Sequence, residues 1–224
     1  MSWKVPIESL IVEILPPENW LTFLMKSASP SRRDWPSFAI VFADANVLFS
    51  RVLRDYVLYS AHFGAIQVHW SQMVLDEMSR NLRKRINATT QDTRRLEALM
   101  NDFLPEALVQ DARFDIKLPE TVSVHPKDRH VLQAALCVNA NIIVTDNLKD
   151  FPADWMRKQG ILLVDSAALI SMLVMQFPTQ FKQAHELCVE LSGSQSEAKV
   201  LQQLERATNA NVVKQVRDLL RSVS

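Results

Sequence analysis

Phe38-Ala-Ile-Val-Phe-Ala-Asp44-Ala-Asn46-Val-Leu-Phe49 is the stretch from which the rest of the chain can be read. An apolar run rich in β-branched and aromatic side chains leads straight into an aspartate. A short run of this kind suits a strand buried on both faces, although periodicity alone does not separate it from a buried helix. In an open parallel sheet, functional groups gather just beyond the carboxyl ends of the strands. Asp44 stands at such an end, with Asn46 two residues on and an apolar segment following. Two roles fit Asp44 equally at this point: a cap for the next helix, and a functional carboxylate. The choice depends on whether other carboxylates occupy matching places.

Working outward, residues 47–63 carry Leu48, Val52, Tyr56 and Tyr59 at helical spacing, with Arg51, Arg54 and Asp55 on the other side. Gly64 closes that helix, as a glycine just past a helix end commonly does. Residues 66–70 read as a second strand. Ser71 is a good N-cap for a helix over 72–85 whose core stripe is Val74, Met78 and Leu82. Glu77 lies on the flank of that stripe. Residues 89–107 form another helical stretch, with Leu96, Leu99, Met100 and Phe103 inward. A short strand at 121–124 leads to His125-Pro-Lys-Asp128-Arg-His130. Pro126 holds His125 extended, and the apolar series from Val131 starts a helix. Asp128 falls in its first turn, where a negative charge favours the helix dipole by about 0.3–1 kcal/mol. Residues 142–145 form a third buried strand that delivers Asp146-Asn147-Leu-Lys-Asp150, and 161–164 form a last one.

Strand and helix alternate from residue 38 to about 174, which predicts an α/β fold: a parallel sheet flanked by helices. From Pro178 the pattern is helical throughout. Phe181, Ala184, Leu187, Cys188 and Leu191 mark one face, and Val200, Leu201 and Leu204 another. Val212, Val213, Val216, Leu219 and Leu220 mark a third. Ser194-Gln-Ser-Glu197 has the form of a capping box. The expected division is an N-terminal extension over 1–37, an α/β domain over 38–177 and a helical C-terminal region over 178–224. The extension has two short apolar patches broken by Pro16-Pro17, then a Ser/Pro/Arg linker. No internal repeat marks a solenoid.

Composition bounds the function. With 25 basic and 25 acidic side chains in 224 residues, net charge gives no steering towards a polyanion. Any nucleic-acid contact must come from a local patch. No Gly-rich phosphate or dinucleotide loop is present. Cys137 and Cys188 fall in apolar helical patterns with no CxxC pair, so a reducing cytoplasm is expected. The start lacks the form of a signal peptide. The longest uncharged apolar run is roughly half of the ~20 residues a bilayer span requires, and a soluble protein without membrane contact is expected.

Asp44, Glu77, Asp128, and Asp146 or Asp150 all follow strand ends or open the helices after them, so a parallel sheet would put them on one edge. Carboxylates about 4 Å apart repel by roughly 4 kcal/mol at an effective dielectric of 20, and a cluster of them calls for a cation. All-oxygen ligands favour Mg²⁺ or Mn²⁺ over Zn²⁺. Such ions serve phosphodiester hydrolysis by generating hydroxide and holding the phosphate.

These segments resemble the PIN-domain nucleases over roughly residues 38–165. Val-Phe-Ala-Asp44-Ala-Asn46-Val-Leu is similar to the family's opening strand and first metal-binding aspartate. Trp70-Ser71-Gln-Met-Val-Leu-Asp-Glu77 resembles the helix that carries its glutamate. Asp128-Arg-His-Val-Leu-Gln-Ala-Ala resembles the third acidic position, and Thr145-Asp146-Asn147-Leu-Lys-Asp150-Phe-Pro the closing loop with the fourth. Within the family the chain looks most like the longer VapC-type toxins, whose PIN domain precedes a helical region.

The resemblance implies a metal-dependent endoribonuclease, the toxin of a type II toxin–antitoxin pair, with an RNA substrate and a cognate antitoxin, and it admits a homodimer. Asp44, Glu77, Asp128 and Asp150 would be catalytic around one or two Mg²⁺ ions, with Asp146 second choice to Asp150 as the fourth ligand. Many members have an aspartate where this chain has Asn147. Asn46, Ser71, Thr145 and Asn147 are short polar side chains suited to holding the carboxylates in place, and equally suited to capping. Arg80, Arg83, Lys84 and Arg85 continue the Glu77 helix, and Lys127 and Arg129 flank Asp128. As a set these cations could contact phosphates or simply be solvated. None of the five histidines shows metal spacing.

Two rivals stand beside this reading. The first is a catalytically degenerate PIN fold that binds RNA or protein. The second is a phosphotransferase of the haloacid-dehalogenase type, which wants an aspartate where Asn46 stands.

Overall fold

Each apolar run that ends in a polar residue becomes a strand that empties onto one edge of a sheet. The computed structural model describes residues 39–110, 116–120, 122–193 and 196–222, so the extension expected over 1–37 lies outside the described residues. Strands β1 (Ile40–Ala43), β2 (Gln67–Ser71), β3 (Leu108–Val109), β4 (Ile142–Val144) and β5 (Leu162–Val164) form one sheet in the order β3-β2-β1-β4-β5. All neighbours are parallel; in the centre, Phe42 stands opposite His69 on one side and Ile143 on the other. Val41, Phe42, Ile143 and Val144 are fully buried, as both faces are covered by the crossover helices that parallel strands require.

Those helices are α1 (Ala45–Phe49), α2 (Arg51–His62), α3 (Gln72–Ile86), α4 (Thr90–Phe103), α5 (Arg129–Cys137), α6 (Ala153–Lys158) and α7 (Ser166–Gln176). The single helix expected over 47–63 is two. Ser50 adopts an extended conformation (ψ 116°) and serves as C-cap of α1 and N-cap of α2. Arg54, expected on the solvent side, is instead buried. Its Nη1 donates to the Leu48 carbonyl at 2.9 Å, tying α2 back to the last turn of α1. The apolar pattern ran through both helices and hid the break.

Three further expectations change. Of the strand expected over 121–124, the described residues 122–124 form none; the fifth strand is β3, where Trp70 pairs with Leu108 and Ser71 with Val109. Two residues are too few to show a period. The helix expected over 89–107 stops at Phe103. The N-cap before residue 197 is Ser196, with no side-chain cap bond, rather than Ser194, which lies outside the described residues.

The C-terminal helices are α8 (Pro178–Glu190), α9 (Glu197–Ala207) and α10 (Ala210–Ser222). Helices α8 and α9 pack on α2, and α10 packs on α7. The Phe181 ring stacks on Tyr56 at 5.3 Å, and the Tyr56 hydroxyl bonds His185 Nδ1 at 2.6 Å. Phe181, Leu187, Leu191, Val200, Leu204, Val213 and Val216 join the same buried cluster as the sheet. Among the described residues, no helix is long and apolar enough to cross a membrane.

Candidate functional site

From β1 the chain moves outward to β2 and β3, then returns to the other side of β1 for β4 and β5. The reversal puts a crevice between the carboxyl ends of β1 and β4, the place where open α/β sheets bind ligands. Asp44 follows β1 and Thr145 follows β4. Both are buried, Asp44 at 4 % exposure and Thr145 at 0 %.

Asp44, Asn46 and Thr145 close a triangle there. The Thr145 hydroxyl donates to Asp44 Oδ2 at 2.7 Å, Asn46 Nδ2 donates to the same oxygen at 2.7 Å, and Asn46 Nδ2 also donates to Thr145 Oγ1 at 2.8 Å. Asp44 Oδ1 accepts from the Ala45 N–H at 2.7 Å. Asp44 is thus a helix cap and a fixed carboxylate at once. The Asp146 N–H donates to Asn46 Oδ1 at 3.1 Å, and the Asn147 N–H to Thr145 Oγ1 at 3.1 Å. Every polar atom of the Asn46 and Thr145 side chains is used, which locks the loop after β4 onto Asp44.

The remaining acidic side chains surround this triangle unequally. Glu77 is in the second turn of α3 and half-buried; Asp128 is the N-cap of α5 but makes no side-chain cap bond. Burial pushes the carboxyls of Asp44, Glu77 and Asp128 upward. After burial, the charges of Asp44 and Asp128 raise Glu77, and those of Asp44 and Asp150 raise Asp128. Glu77 therefore feels Asp44 and Asp128, and Asp128 feels Asp44 and Asp150, across one edge. Asp150 is also held by Asn147, whose Nδ2 donates to its Oδ2. Asp146 faces elsewhere: its Oδ1 accepts from the Ser166 N–H at 2.9 Å, at the start of α7.

A donor set of carboxylate oxygens suits a hard divalent cation such as Mg²⁺ or Mn²⁺. Among the described residues no three Asp, Glu, His or Cys side chains close around a common point. The carboxyls of Glu77 and Asp128 are raised first by burial and then by the neighbouring carboxylate charges.

Of the basic residues, Arg80 and Lys127 reach Glu77 electrostatically and pull against the rise in its pKa. Both are exposed, as is Lys84. Arg83 and Arg129 have structural partners: Arg83 Nη1 donates to Thr93 Oγ1 at 2.9 Å, and Arg129 Nη2 to the Leu118 carbonyl at 3.1 Å. Ser71 caps α3, its Oγ accepting from the Val74 N–H at 3.3 Å, and its side chain turns to the helix rather than to a carboxylate.

His130 is the neighbour that sequence reasoning passed over. Burial lowers its pKa, while the Asp44 charge favours its protonated form, and the imidazole in turn steadies the Asp44 carboxylate. Its position two residues after Asp128 is the signal that the sequence offers for it.

A sheet reversing at an aspartate, with three more carboxylates on the same edge, can be compared with known families. Residues 40–149 match the family model of the PIN domain. The match begins at the first residue of β1, takes in Asp44, Glu77, Asp128 and Asp146, and ends one residue before Asp150. PIN domains are generally nucleases and typically use divalent metal ions, so the match supports a nuclease-type function acting on nucleic acid. No curated protein and no solved structure matches the chain significantly.

Proposed function

We propose that the chain is a metal-dependent endoribonuclease in which Asp44, Glu77, Asp128 and Asp150 hold Mg²⁺ or Mn²⁺ at the crevice between β1 and β4. The observation that carries this is Asp44, fixed by three hydrogen bonds at the switch point of the sheet, with its charge acting on both Glu77 and Asp128. When bound, the ion would supply a water of lowered pKa and neutralise charge at the scissile phosphate. Asn46 and Thr145 keep Asp44 in one rotamer, so its remaining lone pair, on Oδ1, points to one place. Asn147 does the same for Asp150. Arg80 and Lys127 supply positive charge beside Glu77, where an RNA backbone needs it. Arg83, Lys84 and Arg129 extend that basic character more weakly, since Arg83 and Arg129 already have structural partners.

The test is cleavage of a labelled RNA with Mg²⁺, against EDTA, by wild type and Asp128→Asn. Divalent-dependent cleavage lost in the variant supports the reading. A second reading is a degenerate PIN module that binds RNA or protein without cutting. It is favoured by Asn147 at a position where many members of the family have aspartate, and by the absence of a closed three-carboxylate cluster among the described residues. Tight RNA binding with no cleavage under any divalent ion would select it.

The role of toxin, with a cognate antitoxin protein, rests on the ordered motifs followed by a helical tail. Growth arrest on expression, abolished by Asp128→Asn, would support it. A cytoplasmic location accords with the free thiols of Cys137 and Cys188. A homodimer is testable by light scattering.

A further inference from the structure

Helices α1 and α3 both start at the carboxylate edge, since Asp44 caps α1 and Ser71 caps α3. Their far ends, Phe49 and Ile86, meet again at one place: the wall of an open groove of about 400 Å³. Its other wall is the tail helix α9, through Gln203 and Arg206. Ser50, Arg51, Val52, Leu82 and Ala207 complete the lining, and no carboxylate contributes to it. Phe49 is half-buried and Arg206 exposed. The guanidinium of Arg85 lies over the Phe49 ring, 5.6 Å from its centroid. Arg51 is held in place by Asp55 at 3.4 Å and by the Leu191 carbonyl at 3.3 Å.

The groove thus offers an aromatic face, an amide and guanidinium groups of one sign, which is the chemistry that takes single-stranded nucleic acid: bases stack on rings while cations track the backbone. A purely apolar peptide would leave those guanidinium groups without partners, whereas a strand of bases and phosphates uses both the ring and the cations. The distance is also suitable. At 1.5 Å rise per residue, α1 carries the chain about 8 Å from Asp44 to Phe49, and α3 about 14 Å from Glu77 to Ile86. A stacked strand rising ~3.4 Å per nucleotide covers that in roughly two to four nucleotides.

We propose that this groove binds the single-stranded RNA that flanks the scissile bond, with a base on Phe49 and phosphates on Arg206 and Arg85. The tail helix α9 is then part of the substrate site. The proposal rests on the ribonuclease reading for the identity of its ligand, and binding is therefore measured apart from cleavage. The probe is a fluorescein-labelled 12-nucleotide single-stranded RNA, titrated in EDTA with the full chain and read by polarisation. Arg206→Glu is expected to weaken binding fivefold or more and to lower the slope of log affinity against log salt by about 0.7. Phe49→Leu, which keeps apolar packing but removes the ring, is expected to weaken it fivefold or more with the salt slope unchanged. Arg217→Glu, the same charge change on α10, is the control and should bind as wild type. Equal affinities for Arg206→Glu, Phe49→Leu and the control would overturn the groove, and intact Mg²⁺-dependent cleavage in that case leaves the nuclease reading standing. Weakened binding by both variants in a protein that cuts no RNA would keep the groove and remove the hydrolase.

Discussion

The Thr145 hydroxyl donates to Asp44 Oδ2 at 2.7 Å, joining two residues 101 positions apart at the ends of adjacent parallel strands. That bond is what converts a switch point of the sheet into a fixed carboxylate. Thr145 also accepts from Asn46 Nδ2 and from the Asn147 N–H, so one hydroxyl organises both the first and the last segment of the site.

Thr145→Val keeps the shape and removes all three bonds. Leaving buried donors and an acceptor unpaired costs about 1–3 kcal/mol. In a chain of this size, each kcal/mol lowers Tm by about 2–4 °C. Cleavage is expected to fall at least tenfold, because Asp44 loses one of its three hydrogen bonds and the loop after β4 loses its tie to it. Thr145→Ser, which keeps the hydroxyl, should recover most of both; a serine variant as impaired as the valine would show that the methyl group, not the bond, matters.

Asp44→Asn and Asp128→Asn should both abolish cleavage but differ in stability. Asp44 accepts three hydrogen bonds, from Ala45 N–H, Asn46 and Thr145. An amide has one oxygen for those donors and turns its own NH₂ towards others, at a cost of about 1–3 kcal/mol. Asp128 makes no cap bond and is opposed by Asp44 and Asp150, so losing its charge should leave the urea midpoint unchanged or higher. Equal destabilisation by the two would contradict the different bonding of the two sites.

The strands β1, β2, β4 and β5 and the parallel α/β class were legible because buried parallel strands write themselves as apolar runs. Residues 40–43 and 142–144 needed no partner to be recognised. What stayed hidden depends on contacts between distant segments. The break at Ser50 is fixed by Arg54 reaching back to Leu48, and an arginine in a helical pattern gives no sign of being buried. The strand at residues 108–109 exists only through its pairing with Trp70 and Ser71. The resemblance puts Asp150 ahead of Asp146, and α7 adds a physical difference between them that the sequence hides: the Ser166 N–H donates to Asp146 Oδ1.

That separation is testable. Asp150→Ala removes a carboxylate that acts on Asp128 and should weaken Mn²⁺ binding by tenfold or more in a calorimetric titration. Asp146→Ala removes an acceptor for the Ser166 N–H, so its main effect should be a stability loss of about 1 kcal/mol. The reverse pattern, with Mn²⁺ affinity lost in Asp146→Ala alone, would move the ligand role to Asp146.

The last prediction concerns the joint between the sheet domain and its tail. His185 on α8 is 2 % exposed, and its Nδ1 bonds the Tyr56 hydroxyl of α2. Burial holds its pKa below the ordinary value, against a weaker upward pull from Glu197 and Glu186. In the unfolded chain the same imidazole protonates near pH 6.5. Below that pH the unfolded state binds a proton the folded state refuses, so stability is full above about pH 6.5 and declines as pH falls, until the folded-state pKa is reached. The decline for one such group approaches about 1.4 kcal/mol per pH unit at most. His62 and His130 are lowered in the same way and add to the wild-type slope, so the quantity to read is a difference. His185→Gln should be less stable at pH 7.5, through a poorer fit beside Phe181, yet show a shallower loss between pH 6.5 and 5 in urea unfolding. Parallel slopes for the two proteins over that range would mean that His185 takes up its proton without leaving the fold.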